Sequence, residues 1–159
     1  MIILFLGQPA SGKTTLANAY TKYITKDLFA KGEIYQGDAM KFVKIDGDRW
    51  RDITQNKDYS KEGRLRNLKG AFDMALYLEK EGYTPILSFV TPYEELRQHL
   101  QDNAQKFVQI YLEYNEDRGR NKNFANDFEL PSGKYLPLNT SLESIDDCIS
   151  KVNEYVNAV

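Results

Sequence analysis

Histidine and cysteine are nearly missing from this chain: one of each, His99 and Cys148, in 159 residues. That scarcity excludes a zinc site built from these ligands and an internal disulfide. A lone thiol suits a reducing compartment, so a cytoplasmic protein is expected. Cys148 reads as a small apolar residue on the last helix, and His99 as a surface residue among polar neighbours. An excess of charge is lacking too. Lys and Arg total 21 against 23 Asp and Glu, a formal net charge of −2, which gives no electrostatic footprint for nucleic acid or an anionic membrane. No apolar run approaches the ~20 residues of a membrane-spanning helix. The first run is not expected to be a secretory leader, because it is short, has no basic lead-in and turns straight into a glycine loop. Repeats, low-complexity tracts and linkers are also wanting, so residues 1–159 are read as one domain.

What the chain does have is Gly7-Gln8-Pro9-Ala10-Ser11-Gly12-Lys13-Thr14, followed by Thr15. This is the G-x-x-x-x-G-K-T pattern of a phosphate-binding loop. It lies between an apolar run, Ile2 to Leu6, that suits a buried strand, and a helix-period stretch with Leu16, Ala17, Tyr20 and Ile24 on one face. The order matters physically. Glycines let backbone N–H groups curl around a phosphate without a clashing Cβ, and the helix beginning at Lys13 aims its unpaired N–H groups and positive dipole end at the same anion. Lys13 supplies a point charge for the β- and γ-phosphates, and the Thr14 hydroxyl a ligand for Mg²⁺. A chance glycine-rich turn is the bland alternative. The pattern points to a nucleoside triphosphate and Mg²⁺, and leaves the phosphoryl acceptor unspecified.

Downstream, strands and helices alternate. After the first helix, to about residue 25, residues 26–41 read as a polar excursion with a possible short strand at 33–35. Phe42 to Ile45 suits a second strand ending in Asp46-Gly47-Asp48, then a polar loop. An amphipathic helix follows over 60–81, with Leu65, Leu68, Phe72, Ala75 and Leu76 inward and Gly82 at its end. Residues 85–90 suit a buried parallel strand, and Thr91-Pro92-Tyr93-Glu94 a capping box opening a helix to about 101. Strands are expected at 107–114 and 135–138. A second capping box, Thr140 to Glu143, would open a last helix with Leu142, Ile145, Ile149, Val152 and Val156 inward. The expected fold is α/β: a three-layer α/β/α sandwich on a parallel five-stranded sheet. In such sheets ligands bind beyond the carboxyl ends of the strands. The phosphate loop, Asp46-Gly47-Asp48 and the segment from Ser88 to Thr91 would then converge on one edge.

At that edge Asp46 and Asp48 could serve a metal and an acceptor hydroxyl; a plain Asp-Gly turn is the alternative. Arg49, Arg51, Arg64 and Arg66 form a basic cluster, with Arg64 and Asn67 on one helix face, suited to a second anionic substrate or simply to solvent. Thr91 is read first as a helix cap and second as an active-edge hydroxyl. The aperiodic segment 115–131 carries Arg118, Arg120, Lys122 and Phe124 and suits a lid.

Taken together, these motifs resemble the adenylyl sulfate kinase family over nearly the whole chain. The family's D-G-D-x-x-R is matched by Asp46 to Arg51, its F-S-x-x-x-R-x-x-N by Tyr59 to Asn67, its S-F-I-S-P-Y-x-x-x-R by Ser88 to Arg97, and its N-F-T-G by Asn123 to Asn126. The resemblance implies an ATP- and Mg²⁺-dependent kinase acting on the ribose 3′-hydroxyl of adenosine 5′-phosphosulfate. It implies that Lys13, Asp46 and Asp48 are catalytic and that Thr14 and Asp46 serve the metal. Arg51, Arg64 and Asn67 would hold the phosphosulfate nucleotide, Phe89, Val90 and Thr91 would line its pocket, and Tyr59 and Phe124 would sandwich its base. The departures are a shorter lid lacking the family's R-D-x-K-G-L-Y-x-K-A run, Tyr59 for phenylalanine, Thr91 for serine, and a longer connection over 26–41. They bear on the acceptor rather than the reaction, and a kinase of cytidine diphosphoramidate in capsule synthesis is the alternative. A catalytically silent nucleotide-binding module is the alternative of another class. A small nucleotide-like substrate is the expected partner, nucleic acid and membrane are not, and a homodimer stays open.

Overall fold

The structure, a computed structural model, describes residues 1–31 and 41–159, with the side chains of Phe29 and Lys122 left aside. Its elements run β1 (Ile2–Leu6), α1 (Lys13–Ala30), β2 (Phe42–Asp46), α2 (Gly47–Thr54), α3 (Lys61–Lys80), β3 (Thr84–Phe89), α4 (Glu94–Asn103), β4 (Phe107–Glu113), a 3₁₀ turn (Asn121–Asn123), β5 (Leu136–Asn139) and α5 (Ile145–Asn157). The five strands form one sheet in the order β2-β3-β1-β4-β5, every pair parallel. Strand pleating explains the two cores. Ile2, Leu4 and Leu6 of β1 face one side, where they meet Leu68, Ala71, Phe72 and Ala75 of α3 and Leu96 and Leu100 of α4. Ile3 and Phe5 face the other side, against Leu16, Ala17, Tyr20 and Ile24 of α1 and Cys148, Ile149, Val152 and Val156 of α5. Each such side chain contributes on the order of 2 kcal/mol by leaving water. The result is the three-layer α/β/α sandwich expected from the alternation. Among the described residues no helix is long and apolar enough to cross a membrane.

Several expectations need correction. The expected loop after β2 is the helix α2, for which Asp46 is the N-cap, its Oδ1 accepting from Asp48 N at 3.1 Å and Arg49 N at 3.3 Å. This helix buries no residue, so it leaves no apolar period to read. Thr91 does not cap α4: Tyr93 holds that position without a side-chain bond, and Glu129 Oε2 instead accepts from Glu94 N at 2.5 Å. Nor does Thr140 open the last helix. Ser144 does, accepting from Asp147 N at 3.1 Å, while Leu142 (76%) and Ile145 (49%) are exposed rather than inward. Helix α1 runs past residue 25 to Ala30. The expected strand at 33–35 lies outside the described residues.

Ser60 caps α3, accepting from Gly63 N at 3.1 Å. Gly63 also supports the neighbouring loop: a Cβ there would stand 2.2 Å from Asp58 Cγ and 2.5 Å from Asp58 O. Gly63→Ala should therefore cost about 1–3 kcal/mol, read as a lowered midpoint in denaturant with an unchanged slope. A neutral result would show that the Asp58 loop moves freely.

Candidate active site

Loops at the carboxyl ends of β1, β2 and β3 enclose a cleft of about 850 Å³. The phosphate loop forms its floor. Gly7 (φ 144°) is required there, because a Cβ would sit 2.3 Å from Leu112 O, and Ala10 is also left-handed at φ 67°. Three carbonyls of the loop are held from behind: Pro9 O by Tyr114 Oη at 2.8 Å, Ala10 O by Arg118 Nη1 at 3.0 Å, and Ser11 O by Thr140 Oγ1 at 3.2 Å. Pro9, Ala10, Gly12, Lys13, Thr14 and Thr15 line the cleft, whereas Gly7, Gln8 and Ser11 stand behind it. Lys13 Nζ donates to Gln8 O at 2.7 Å and Ser11 Oγ at 3.3 Å. Burial lowers the Lys13 ammonium to about 8, against the opposing pull of Asp48 and Asp46, with Arg120 adding to the fall.

Asp46 stands at the end of β2 facing the loop. Its Oδ2 accepts from Thr14 Oγ1 at 2.7 Å and Ser88 Oγ at 2.8 Å. Burial works to raise this carboxyl, but the hydrogen bonds from Thr14, Ser88, Arg49 and Asp48 outweigh it and hold the group below its usual range. Asp48 is exposed on the cleft wall. Among the described residues no three His, Cys, Asp or Glu side chains gather as a metal cluster. A hydroxyl bonded to one ionised carboxylate is instead the donor set that Mg²⁺ uses when phosphate oxygens and water complete its shell. Thr14 and Asp46 thus fit the metal.

The opposite wall carries the residues expected on the acceptor side. Arg51, Tyr59, Arg64, Asn67, Phe89, Val90, Thr91 and Phe124 all line the same cleft. Arg51 lies 4.4 Å over the Tyr59 ring and donates to Asn56 O and Asp58 O, so it holds the α2–α3 loop as well as facing the cavity. Arg64 Nε donates to Tyr59 O at 3.1 Å. Asn67 Oδ1 and Thr91 Oγ1 are buried with no partner among the described residues. Arg49 and Arg66, of the basic cluster, do not line the cleft, and Arg66 pairs with Asp58 at 2.9 Å.

The lid arginines separate. Arg120 lines the cleft; Arg118 does not, being spent on Ala10 O, Thr140 and Glu116. The Lys122 side chain lies outside the description. Arg97, the last residue of the Ser88 to Arg97 motif, proves central although its sequence context assigned it no role: it is fully buried, donating to Thr91 O at 2.6 Å and Glu129 O at 2.8 Å and pairing with Glu94. It fixes Thr91, which is left-handed at φ 47°, and the far end of segment 115–131. Its spacing of three from Glu94 on one helix face was the available signal.

Comparison with known proteins follows the same lines. The family model described as adenylylsulphate kinase matches residues 1–124, through both walls of the cleft as far as Phe124. The adenylyl-sulfate kinase of Halothermothrix orenii is 28% identical, with 97% of this chain and 88% of that protein aligned. The crystal structure of APE1195 superposes with a TM-score of 0.78 at 27% identity, covering 100% of this chain and 95% of that one. The Mycobacterium tuberculosis APS kinase CysC, solved with AMPPNP and APS, has a TM-score of 0.76 at 19% identity over 98% of this chain and 96% of that one, a likeness of fold. With the match running through phosphate loop, acid pair and arginine-bearing helix alike, this chain belongs to the adenylylsulphate kinase family.

Proposed function

We propose that this protein is an ATP-dependent kinase that transfers the γ-phosphoryl group to the ribose 3′-hydroxyl of adenosine 5′-phosphosulfate. One observation carries the reading: the phosphate loop with its two acids and the arginine-aromatic wall face each other across a single cleft. The loop's N–H groups and Lys13 would cradle the triphosphate, with Arg120 offsetting charge on the transferred group. Thr14 and Asp46 would hold Mg²⁺, whose chemistry there would be neutralisation of the triphosphate's charge. Asp48 would orient the acceptor hydroxyl and take its proton, while Arg51, Arg64 and Asn67 fix the acceptor's anionic end. A module that only binds nucleotide has little use for a second acid, Asp48, on the cleft wall beside the metal-side Asp46, which favours turnover over binding alone.

Release of ADP, measured over adenosine 5′-phosphosulfate, a cytidine diphosphoramidate and simple sugars, tests the assignment. Stimulation by the first is expected. Stimulation by the cytidine compound alone would move the acceptor, and no stimulation by any would end the kinase reading. The aromatic pair makes a narrower claim. Stacking is worth about 1–3 kcal/mol per base, so Phe124→Ala should raise the acceptor's KM by ~5–150-fold and that of ATP by less than ~3-fold. Equal rises in both would remove the ring from the acceptor site.

A further inference from the structure

Gln8 is second in the phosphate loop, yet its side chain does not line the cleft. It meets the backbone of Ala125 in a reciprocal pair instead: Gln8 Nε2 donates to Ala125 O at 3.0 Å, and Ala125 N donates to Gln8 Oε1 at 3.0 Å. Ala125 is 3% exposed, so both of its backbone groups need protein partners, and this one amide supplies them. Glutamine alone has the reach and the joint donor and acceptor: glutamate only accepts, and leucine does neither.

The pair sits beside the acceptor wall. Phe124, next in the chain, lines the cleft, and so do Asn123 and Arg120 just before it. The Phe124 ring packs edge-on against Tyr114, centroids 6.3 Å apart at 86°, and Tyr114 itself donates to Pro9 O. On its other side, Gln8 presents its own carbonyl to Lys13 Nζ at 2.7 Å. One residue therefore touches the lysine that serves the triphosphate and the segment that carries the acceptor's aromatic wall.

We propose that Gln8 is a positioning residue that sets the Phe124 wall of the acceptor site from the phosphate loop, linking nucleotide occupancy to acceptor affinity. The inference rests on the kinase reading of the cleft. A phosphate seated on the loop competes with Gln8 O for Lys13 and fixes the loop backbone. The Gln8 amide transmits that order to Ala125 and so to Phe124. Reciprocity requires the acceptor to tighten nucleotide binding by the same factor.

Gln8→Leu keeps the side-chain volume and deletes both bonds; Gln8→Glu keeps only an acceptor and sets a carboxylate beside Ala125 O. The probes are ADP and adenosine 5′-phosphosulfate. In the native protein, saturating ADP should tighten acceptor binding by ~5-fold or more, and in Gln8→Leu by less than ~2-fold. Lost coupling weakens both ligands alike and the misplaced wall weakens the acceptor alone, so the acceptor's KM should rise ~10-fold or more and that of ATP only by the smaller factor through which the coupling falls. Exchange of the Ala125 amide gives a readout free of turnover: ADP should slow it in the native protein and not in Gln8→Leu. Should Gln8→Leu fail to fold, Gln8→Glu carries the same comparisons, with the same directions expected. A native factor near one, an unchanged factor in the variants, or equal rises in both KM values would overturn the proposal. If the native protein binds ADP but no phosphosulfate nucleotide, the assignment of the acceptor fails by itself, and the ADP-dependent exchange at Ala125 still decides the role of Gln8.

Discussion

Lys13→Met is expected to cut kcat by about 10²–10³ while leaving the nucleotide-free protein as stable as the native chain or more so. The two halves have one cause. The Lys13 ammonium is drawn out of water beside the phosphate loop, which lowers it to about 8 from 10.5. A base whose folded value lies below its unfolded one opposes folding. That opposition is fully present below pH 8, shrinks as pH rises from 8 to 10.5, and vanishes above. Methionine, similar in length and uncharged, removes it at neutral pH, and each kcal/mol relieved raises Tm by ~2–4 °C. The same lysine predicts the pH profile of nucleotide binding. A triphosphate stabilises the ammonium, so above about pH 8 binding must take up a proton, and affinity should fall about tenfold per pH unit there. In Lys13→Met that decline should flatten. Calorimetric titration with ADP in buffers of differing ionisation enthalpy checks proton uptake, and thermal unfolding checks stability. A clear loss of Tm in Lys13→Met would show that the charge holds the loop together rather than waiting for phosphate.

The sandwich was legible in the sequence because burial is what sequence periodicity reports. β1, with both faces covered, reads as an unbroken apolar run, and α3 shows its inner face at helical spacing. Segments held by polar contacts left no such trace. Helix α2 is held by the Asp46 cap and by one side chain, Trp50, which packs partly buried on the core and whose Nε1 bonds Asn67 O at 3.0 Å, and it has no fully buried face. Thr91 and Thr140 have the composition of helix caps but are committed elsewhere: one to a left-handed turn fixed by Arg97, the other to Arg118 and the loop carbonyls. The site showed the same division. Glycines, Lys13 and the acid pair announce their chemistry by type and spacing. Which lid arginine faces the cleft depends on a contact 108 residues away, between Arg118 and Ala10 O, and no local pattern encodes that.

The two acids should part company when each is made an amide. Asp48 is exposed to the cleft, and its proposed task is to orient and deprotonate the acceptor hydroxyl. Asp48→Asn should lose about 10²–10⁴ in kcat, with stability unchanged and no recovery on adding Mg²⁺. Asp46 is different, because four donors already converge on its carboxylate. Asparagine can keep its oxygen on Asp48 N and Arg49 N, and it caps a helix as well as aspartate does. Its amide NH₂ would then face Thr14 and Ser88, whose hydroxyls can turn and accept. What Asp46→Asn cannot replace is the negative charge beside Thr14. The Mg²⁺ concentration for half-maximal activity should therefore rise ~10–100-fold, with activity largely restored at saturating metal. Asp46→Ala removes the cap as well, and should lower stability by about 1 kcal/mol or more. Metal titration of the three variants, with Tm measured alongside, separates the roles. Rescue of Asp48→Asn by Mg²⁺, or indifference of Asp46→Asn to it, would mean that proton transfer and metal binding are assigned to the wrong acids.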